Sequence, residues 1–174
     1  HVTGVQTCAL PICVGALYCW GYGTYGANGD GTTTMRKRPT RVGTASDWTR
    51  VDVSDAWACG LRAGSLWCWG SNFWGNLGTG NYADTLAPVR VGAAGDWARI
   101  GVGWNHACAI KGGAMLCWGK NENGQIGDGS LSLRTAPVPV GAAVNWSRVT
   151  AGAWHSCGIR AGALYCWGDN NQTT

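Results

Sequence analysis

Between Cys59 and Gly70, Leu61 precedes a short polar break, Arg62-Ala-Gly-Ser65, and alternating large residues, Trp67 and Trp69, follow it. A period of two is the pattern of a strand with one buried face, so the stretch reads as two strands joined by a two-residue turn at Ala63 and Gly64. The same pattern returns at Cys108 to Gly119, broken at Lys111-Gly-Gly-Ala114, and at Cys157 to Gly168, broken at Arg160-Ala-Gly-Ala163. Cys19, Cys68, Cys117 and Cys166 each open a Cys-Trp-Gly, and they stand 49 residues apart every time. A fixed period without insertions marks a repeat protein. Counted from Trp20, the repeats are 20–68, 69–117 and 118–166, with the start of a further one at 167–174.

In the repeat 69–117, strand signals fall at Pro88 to Val91, Trp97 to Val102, Ala107 to Lys111 and Ala114 to Trp118. Four short antiparallel strands make one propeller blade, so the expected fold is all-β, a partial β-propeller of four-stranded blades. Gly-rich segments at Gly21 to Arg38, Gly70 to Ala87 and Gly119 to Ala136 are expected to run between blades. Each ends at a proline (Pro39, Pro88, Pro137) that can begin an edge strand but would interrupt a central one. Trp20, Trp69, Trp118 and Trp167 align by the period, as do Trp48, Trp97 and Trp146, and both sets are expected to pack blade on blade.

With Ala63 and Gly64 as the turn, Cys59 falls directly opposite Cys68 as a non-hydrogen-bonded pair, where Cα atoms lie about 4.5 Å apart, within disulfide range. The same register pairs Cys108 with Cys117 and Cys157 with Cys166. Such pairs favour an oxidising compartment, hence an extracellular or cell-surface location. The equivalent partner of Cys19 would stand at position 10, which is Leu10. Cys8, Cys13 and Cys19 are therefore expected to stay outside the scheme. Residues 1–13 have no counterpart in the other copies, and Gly4-Val-Gln-Thr-Cys-Ala-Leu-Pro-Ile12 closely resembles translated adapter sequence of environmental sequence assemblies. That segment is expected to be non-native or disordered, with the repeat array beginning at residue 14. The apolar run Cys8 to Trp20 holds Pro11 and lacks a basic lead, so it does not read as a targeting signal.

Composition narrows the function. Charged residues make up 13% of the chain, and the net charge of +4 comes from scattered Lys and Arg apart from Arg36-Lys37-Arg38. Nucleic-acid binding gains no support from this, and no stretch is long and apolar enough for a membrane helix. His106 and His155 precede Cys108 and Cys157 by two residues, which suggests a metal site, but Trp57 occupies that position in the first full copy while both cysteines remain. No metal and no cofactor are expected. Asp30 and Asp128, each within Gly-Asp-Gly, lack the six or more oxygens that calcium takes. Ser156, adjacent to His155, should point to the opposite side of its strand, and acidic residues are few and single. No catalytic constellation emerges, and the chain reads as a non-enzyme.

The residues Trp118-Gly-Lys-Asn-Glu-Asn-Gly-Gln-Ile-Gly-Asp-Gly129, followed by Pro137-Val138, Trp146 to Val149 and Gly152-Ala-Trp-His155, resemble the regulator of chromosome condensation repeat family. The Trp-Gly-x-Asn-x-x-Gly-x-x-Gly pattern stands also at Trp69 to Gly78, and at Trp20 to Gly29 with Gly23 in place of the Asn. The resemblance implies a β-propeller, usually of seven blades, of which three periods are less than half. The full-length chain would close as a monomer, and an unclosed array would expose apolar flanks and self-associate. The cysteine pairs look more like secreted or surface bacterial relatives than the founding nuclear member. The first reading is a non-catalytic scaffold that binds another protein. The alternatives are a guanine-nucleotide exchange regulator of a small GTPase, by analogy alone, and a tryptophan-based UV photoreceptor, suggested by Gly103-Trp-Asn-His106. Against the last, Trp104 aligns with Ala153 and Trp154 with Asn105, so these rings are not expected to form a layer. Recognition is expected at the blade end that carries the long loops, where Tyr22, Tyr25, Arg36, Phe73, Trp74, Tyr82, Trp104, His106, Lys120, Arg134, Trp154 and His155 are the candidate binding residues.

Overall fold

The computed structural model describes residues 6–9, 15–93 and 95–170. Its strands are β1 (Gln6–Ala9), β2 (Tyr18–Gly21), β3 (Arg36–Arg41), β4 (Trp48–Val53), β5 (Trp57–Arg62), β6 (Ser65–Gly70), β7 (Thr85–Arg90), β8 (Trp97–Val102), β9 (His106–Lys111), β10 (Ala114–Gly119), β11 (Arg134–Pro139), β12 (Trp146–Ala151), β13 (His155–Arg160) and β14 (Ala163–Gly168). One 3-10 turn, Thr24–Gly26, accompanies them. Among the described residues these strands pair antiparallel, in four sheets ordered β1-β2-β3, β4-β5-β6-β7, β8-β9-β10-β11 and β12-β13-β14, and one isolated parallel bridge joins Gly15 to Asp47. The result is a partial β-propeller. No helix among the described residues is long and apolar enough to cross a membrane.

The hairpin register is as the pattern predicts, with Arg62 opposite Ser65 and Cys59 opposite Cys68. Ala63 and Gly64 have φ of 46° and 70°, which matches the twist of a two-residue turn to that of its strands. The Gly-rich segments do not run between blades as expected. Each lies within a sheet, joining its last two strands: Gly21 pairs with Arg36, Gly70 with Thr85 and Gly119 with Arg134, each across a bulge. The crossing to the next sheet is made by short segments such as 42–47. Each sheet is thus offset from the sequence repeat, because periodicity fixes the spacing of strands but not which neighbour each one pairs with. β7 also begins three residues before the expected strand and leaves Val91 outside it. First strands of successive sheets lie side by side, β4 against β8 and β8 against β12, which makes them the inner wall. The prolines Pro39, Pro88 and Pro137 sit inside the last, outer strands β3, β7 and β11, where a missing ladder donor costs nothing.

The core lies between sheets. Trp48 packs with Leu17 and Val42 of the preceding sheet, and Trp97 and Trp118 share a buried cluster with Leu66, Leu77 and Val91. Trp69, Trp118 and Trp167 donate their indole N–H to the carbonyls of Ala27, Asn76 and Gln125, at 2.9, 2.8 and 2.9 Å, each in the Gly-rich loop of the preceding sheet. Removing a ring of this kind from a packed core costs about 3–5 kcal/mol.

Disulfides join Cys59 to Cys68, Cys108 to Cys117 and Cys157 to Cys166. A fourth joins Cys8 to Cys19, contrary to the expectation that both stand outside the scheme. Gln6–Ala9 forms a strand on β2 that places Cys8 opposite Cys19. The separation there is 11 residues instead of 9, so counting back nine from Cys19 reached Leu10 and missed the partner. The segment 1–13 is therefore in part a strand of the first sheet. Cys13 and the rest of that segment lie outside the described residues.

Candidate protein-binding face

Strand direction sorts the turns onto two ends. One end carries the hairpin tips and the crossings: Trp97 N–H donates to the Gly64 carbonyl, and Arg62 pairs with Asp47 at 2.6 Å. The other carries the turns at 54–56, 103–105 and 152–154 together with all the Gly-rich loops. There Ser71 N–H donates to the Ala56 carbonyl, and the Trp57 indole reaches the Trp104 carbonyl of the next sheet at 2.8 Å.

The loops are held from inside by the asparagine of the Trp-Gly-x-Asn pattern. The Asn72 side-chain amide donates to the carbonyls of Asn81 and Ala83, and its oxygen accepts the Leu77 N–H. Asn121 does the same with Ser130, Ser132 and Ile126. In the first copy, where Gly23 replaces it, Asn28 takes over by donating to the carbonyls of Gly21 and Thr34. Such loops present their side chains from a fixed frame.

On this frame five of the candidate residues meet. The Phe73 and Trp74 rings pack edge to face at 5.1 Å between centroids, and the Lys120 ammonium lies 4.3 Å from the centre of the Trp74 ring and 5.1 Å from that of Trp154. Trp154 in turn meets Trp104 edge to face at 5.3 Å. Glu122 pairs with Lys120 at 2.8 Å. A ridge of aromatic rings around one held ammonium thus runs across three successive sheets, with Phe73 72% and Trp104 47% exposed. The two rings make a pair and not a layer of equivalent positions. They are not equivalent by the period, but a one-residue offset on neighbouring turns still brings two large rings together. Beside the ridge, Tyr22, Tyr25 and Tyr82 are exposed.

Other candidates are placed differently. Arg36 and Arg134 are tied into their own loops through Asp30 and Asp128. Burial alone raises both aspartates, but hydrogen bonds from Thr32 or Ser130 and the arginine outweigh it and hold each carboxyl below its ordinary value. His106 is fully buried, so it belongs to the sheet interface and not to the exposed face. Its Nε2 lies 2.8 Å from the Ser156 hydroxyl, which donates to the Gln125 carbonyl at 2.9 Å. His155, at the equivalent position on the last described sheet, is exposed. Asp84 and Ser71, absent from the sequence-based candidates, join Tyr25, Phe73 and Tyr82 around one cavity. The period aligns Asp84 with Met35 and Leu133, and its singularity among the copies was the available signal.

The family model of the regulator of chromosome condensation (RCC1) repeat matches residues 63–110 and 112–159, more than half of the chain. The chain belongs to the RCC1 repeat family. No curated protein sequence matches it significantly. Among solved structures, this RCC1-repeat chain is similar to human WBSCR16, with a TM-score of 0.82 at 17% identity over 94% of this chain and 44% of that one. It is also similar to Prp20p from Saccharomyces cerevisiae, with a TM-score of 0.80 at 24% identity over 95% and 42%. The CRINKLY WD40 ectodomain of the Arabidopsis thaliana receptor kinase ACR4 gives 0.54 at 20% identity over 96% and 49%. At these identities the likeness concerns the fold. The chain spans less than half the length of each of these structures.

Proposed function

We propose that this RCC1-repeat chain is part of a non-catalytic scaffold that binds another protein through its loop end. The observation that carries the reading is the ridge Phe73, Trp74, Lys120, Trp154 and Trp104, because clustered aromatic rings on a rigid frame are the groups that dominate protein interfaces. The structure of Prp20p is described together with that protein's binding to Gsp1p and histones, and yeast RCC1 with Kap60 bound, which supports a binding role for this fold. Against catalysis, the Ser156–His106 pair is buried and its hydroxyl is committed to a backbone carbonyl. Four disulfides favour a secreted or surface protein over a nuclear exchange regulator, since a reducing cytosol would not keep them. With a binding partner in hand, Trp104→Ala and Trp154→Ala should each weaken binding about tenfold or more while leaving the urea midpoint nearly unchanged, and Thr44→Ala and Val144→Ser at the opposite end should not. The reverse pattern would refute the assignment of the face, and stimulated nucleotide release from a small GTPase would favour the exchange reading.

A further inference from the structure

Next to the ridge, a cavity of about 330 Å³ is lined by Tyr25, Ser71, Phe73, Tyr82 and Asp84. Three aromatic rings and one carboxylate border it, and its lining holds no basic side chain. The three rings are 53%, 72% and 58% exposed, a large apolar area for a chain to leave in water at one spot. Tyr25 comes from the loop of the first sheet and the other four residues from that of the second, so packing between sheets assembles the cavity.

Its parts are fixed. Tyr25 has φ 59° and ψ 15°, a left-handed conformation that a bulky residue rarely adopts and that surrounding structure must impose. The constraint is visible at the next residue: a Cβ on Gly26 would lie 2.5 Å from the Leu86 Cα, so the turn is pressed on β7 and cannot relax outward. Asp84 accepts the Asn72 N–H at 2.7 Å through Oδ1, and Asn72 is the residue that holds the whole loop. The carboxylate is oriented by the frame, and among the described residues its second oxygen takes no hydrogen bond.

We infer that this cavity takes the ammonium of a lysine side chain presented by the bound protein. The inference rests on the proposed protein-binding function. Ring faces carry negative charge density and a carboxylate completes the field, a combination that suits a cation and disfavours an anion. The same face already shows the chemistry, because Lys120 sits between Trp74 and Trp154 with Glu122 as its counter-charge. Tyr25, Phe73, Tyr82 and Asp84 repeat that composition one step along, joined to it through the Phe73–Trp74 contact.

The test needs no natural partner. Amide chemical shifts of Ser71, Phe73 and Asp84 would be followed during titration with Nα-acetyl-lysine amide and with its uncharged norleucine analogue. Saturable shifts with the lysine compound and none with norleucine are expected. Phe73→Ala should weaken binding about threefold to fivefold, as should Asp84→Asn, which keeps the Asn72 contact. Equal shifts with norleucine, no saturable shift with lysine, or unchanged affinity in Asp84→Asn would overturn the inference. Once a partner is known, sensitivity to Trp104→Ala without sensitivity to Asp84→Asn would reject the lysine pocket and leave the protein-binding reading standing.

Discussion

Replacing Gly78 with alanine tests how the sheets are held together. Gly78 has φ 71°, and a Cβ built on it lies 2.7 Å from Trp118 Nε1 and 3.0 Å from Cδ1. Gly80, two residues on, has φ 85° and nothing within 4 Å. Both substitutions carry the left-handed penalty of about 1–2 kcal/mol. Gly78→Ala must in addition displace a fully buried indole, which costs about 1–3 kcal/mol in overpacking. It also strains the 2.8 Å bond from that indole to the Asn76 carbonyl, worth about 1 kcal/mol. The expected losses are about 3–6 kcal/mol for Gly78→Ala and about 1–2 kcal/mol for Gly80→Ala. Urea unfolding followed by tryptophan fluorescence gives both values from the midpoint and slope. In a Trp118→Phe background the difference between the two glycine variants should shrink, since the smaller ring vacates the contact. Equal destabilisation by the two alanines would show that the indole does not hold Gly78 in place and would refute this account of sheet packing.

Three further outcomes are expected. Peptide mapping of the non-reduced protein should recover Cys8–Cys19 along with the three hairpin disulfides, and loss of any one of the 9-residue links should cost about 2–3 kcal/mol, so a cysteine bridged between sheets would contradict the register. Burial, with the charge of His155 adding to it, holds the His106 imidazole down to about 4. As pH falls from about 6.5 to about 4 the unfolded chain takes up a proton that the folded one refuses, so about 3 kcal/mol of stability is lost across that window and no more below it. Asp52, whose carboxyl burial raises despite the N–H groups of Val102 and Val53, acts in the opposite sense. Comparison with His106→Gln isolates the histidine: the variant's urea midpoint should fall less between pH 6.5 and 4, and an unchanged profile would show that His106 does not titrate as its burial requires.

From the chain alone came the period of 49, read by laying the copies on one another, and the strand content, the two-residue hairpins and three of the four disulfides, which depend on residues within about ten positions of one another. Alternation and a left-handed turn are local properties, and a cross-strand cysteine pair follows from them by counting. Tertiary structure decided which strands share a sheet and what depends on contacts between sheets. The pairing of Gly70 with Thr85 makes each Gly-rich segment part of a sheet, and no local pattern distinguishes that from a link between sheets. Burial separated His106 from His155, although both occupy the same place in the repeat, because only His106 is covered by a following sheet among the described residues. Trp104 and Trp154 meet through a neighbouring turn that the alignment places one residue out of step. The ridge and the Tyr25–Asp84 cavity exist for the same reason: their residues are far apart in sequence or differ between copies, and the stacking of one sheet on the next brings them to one face.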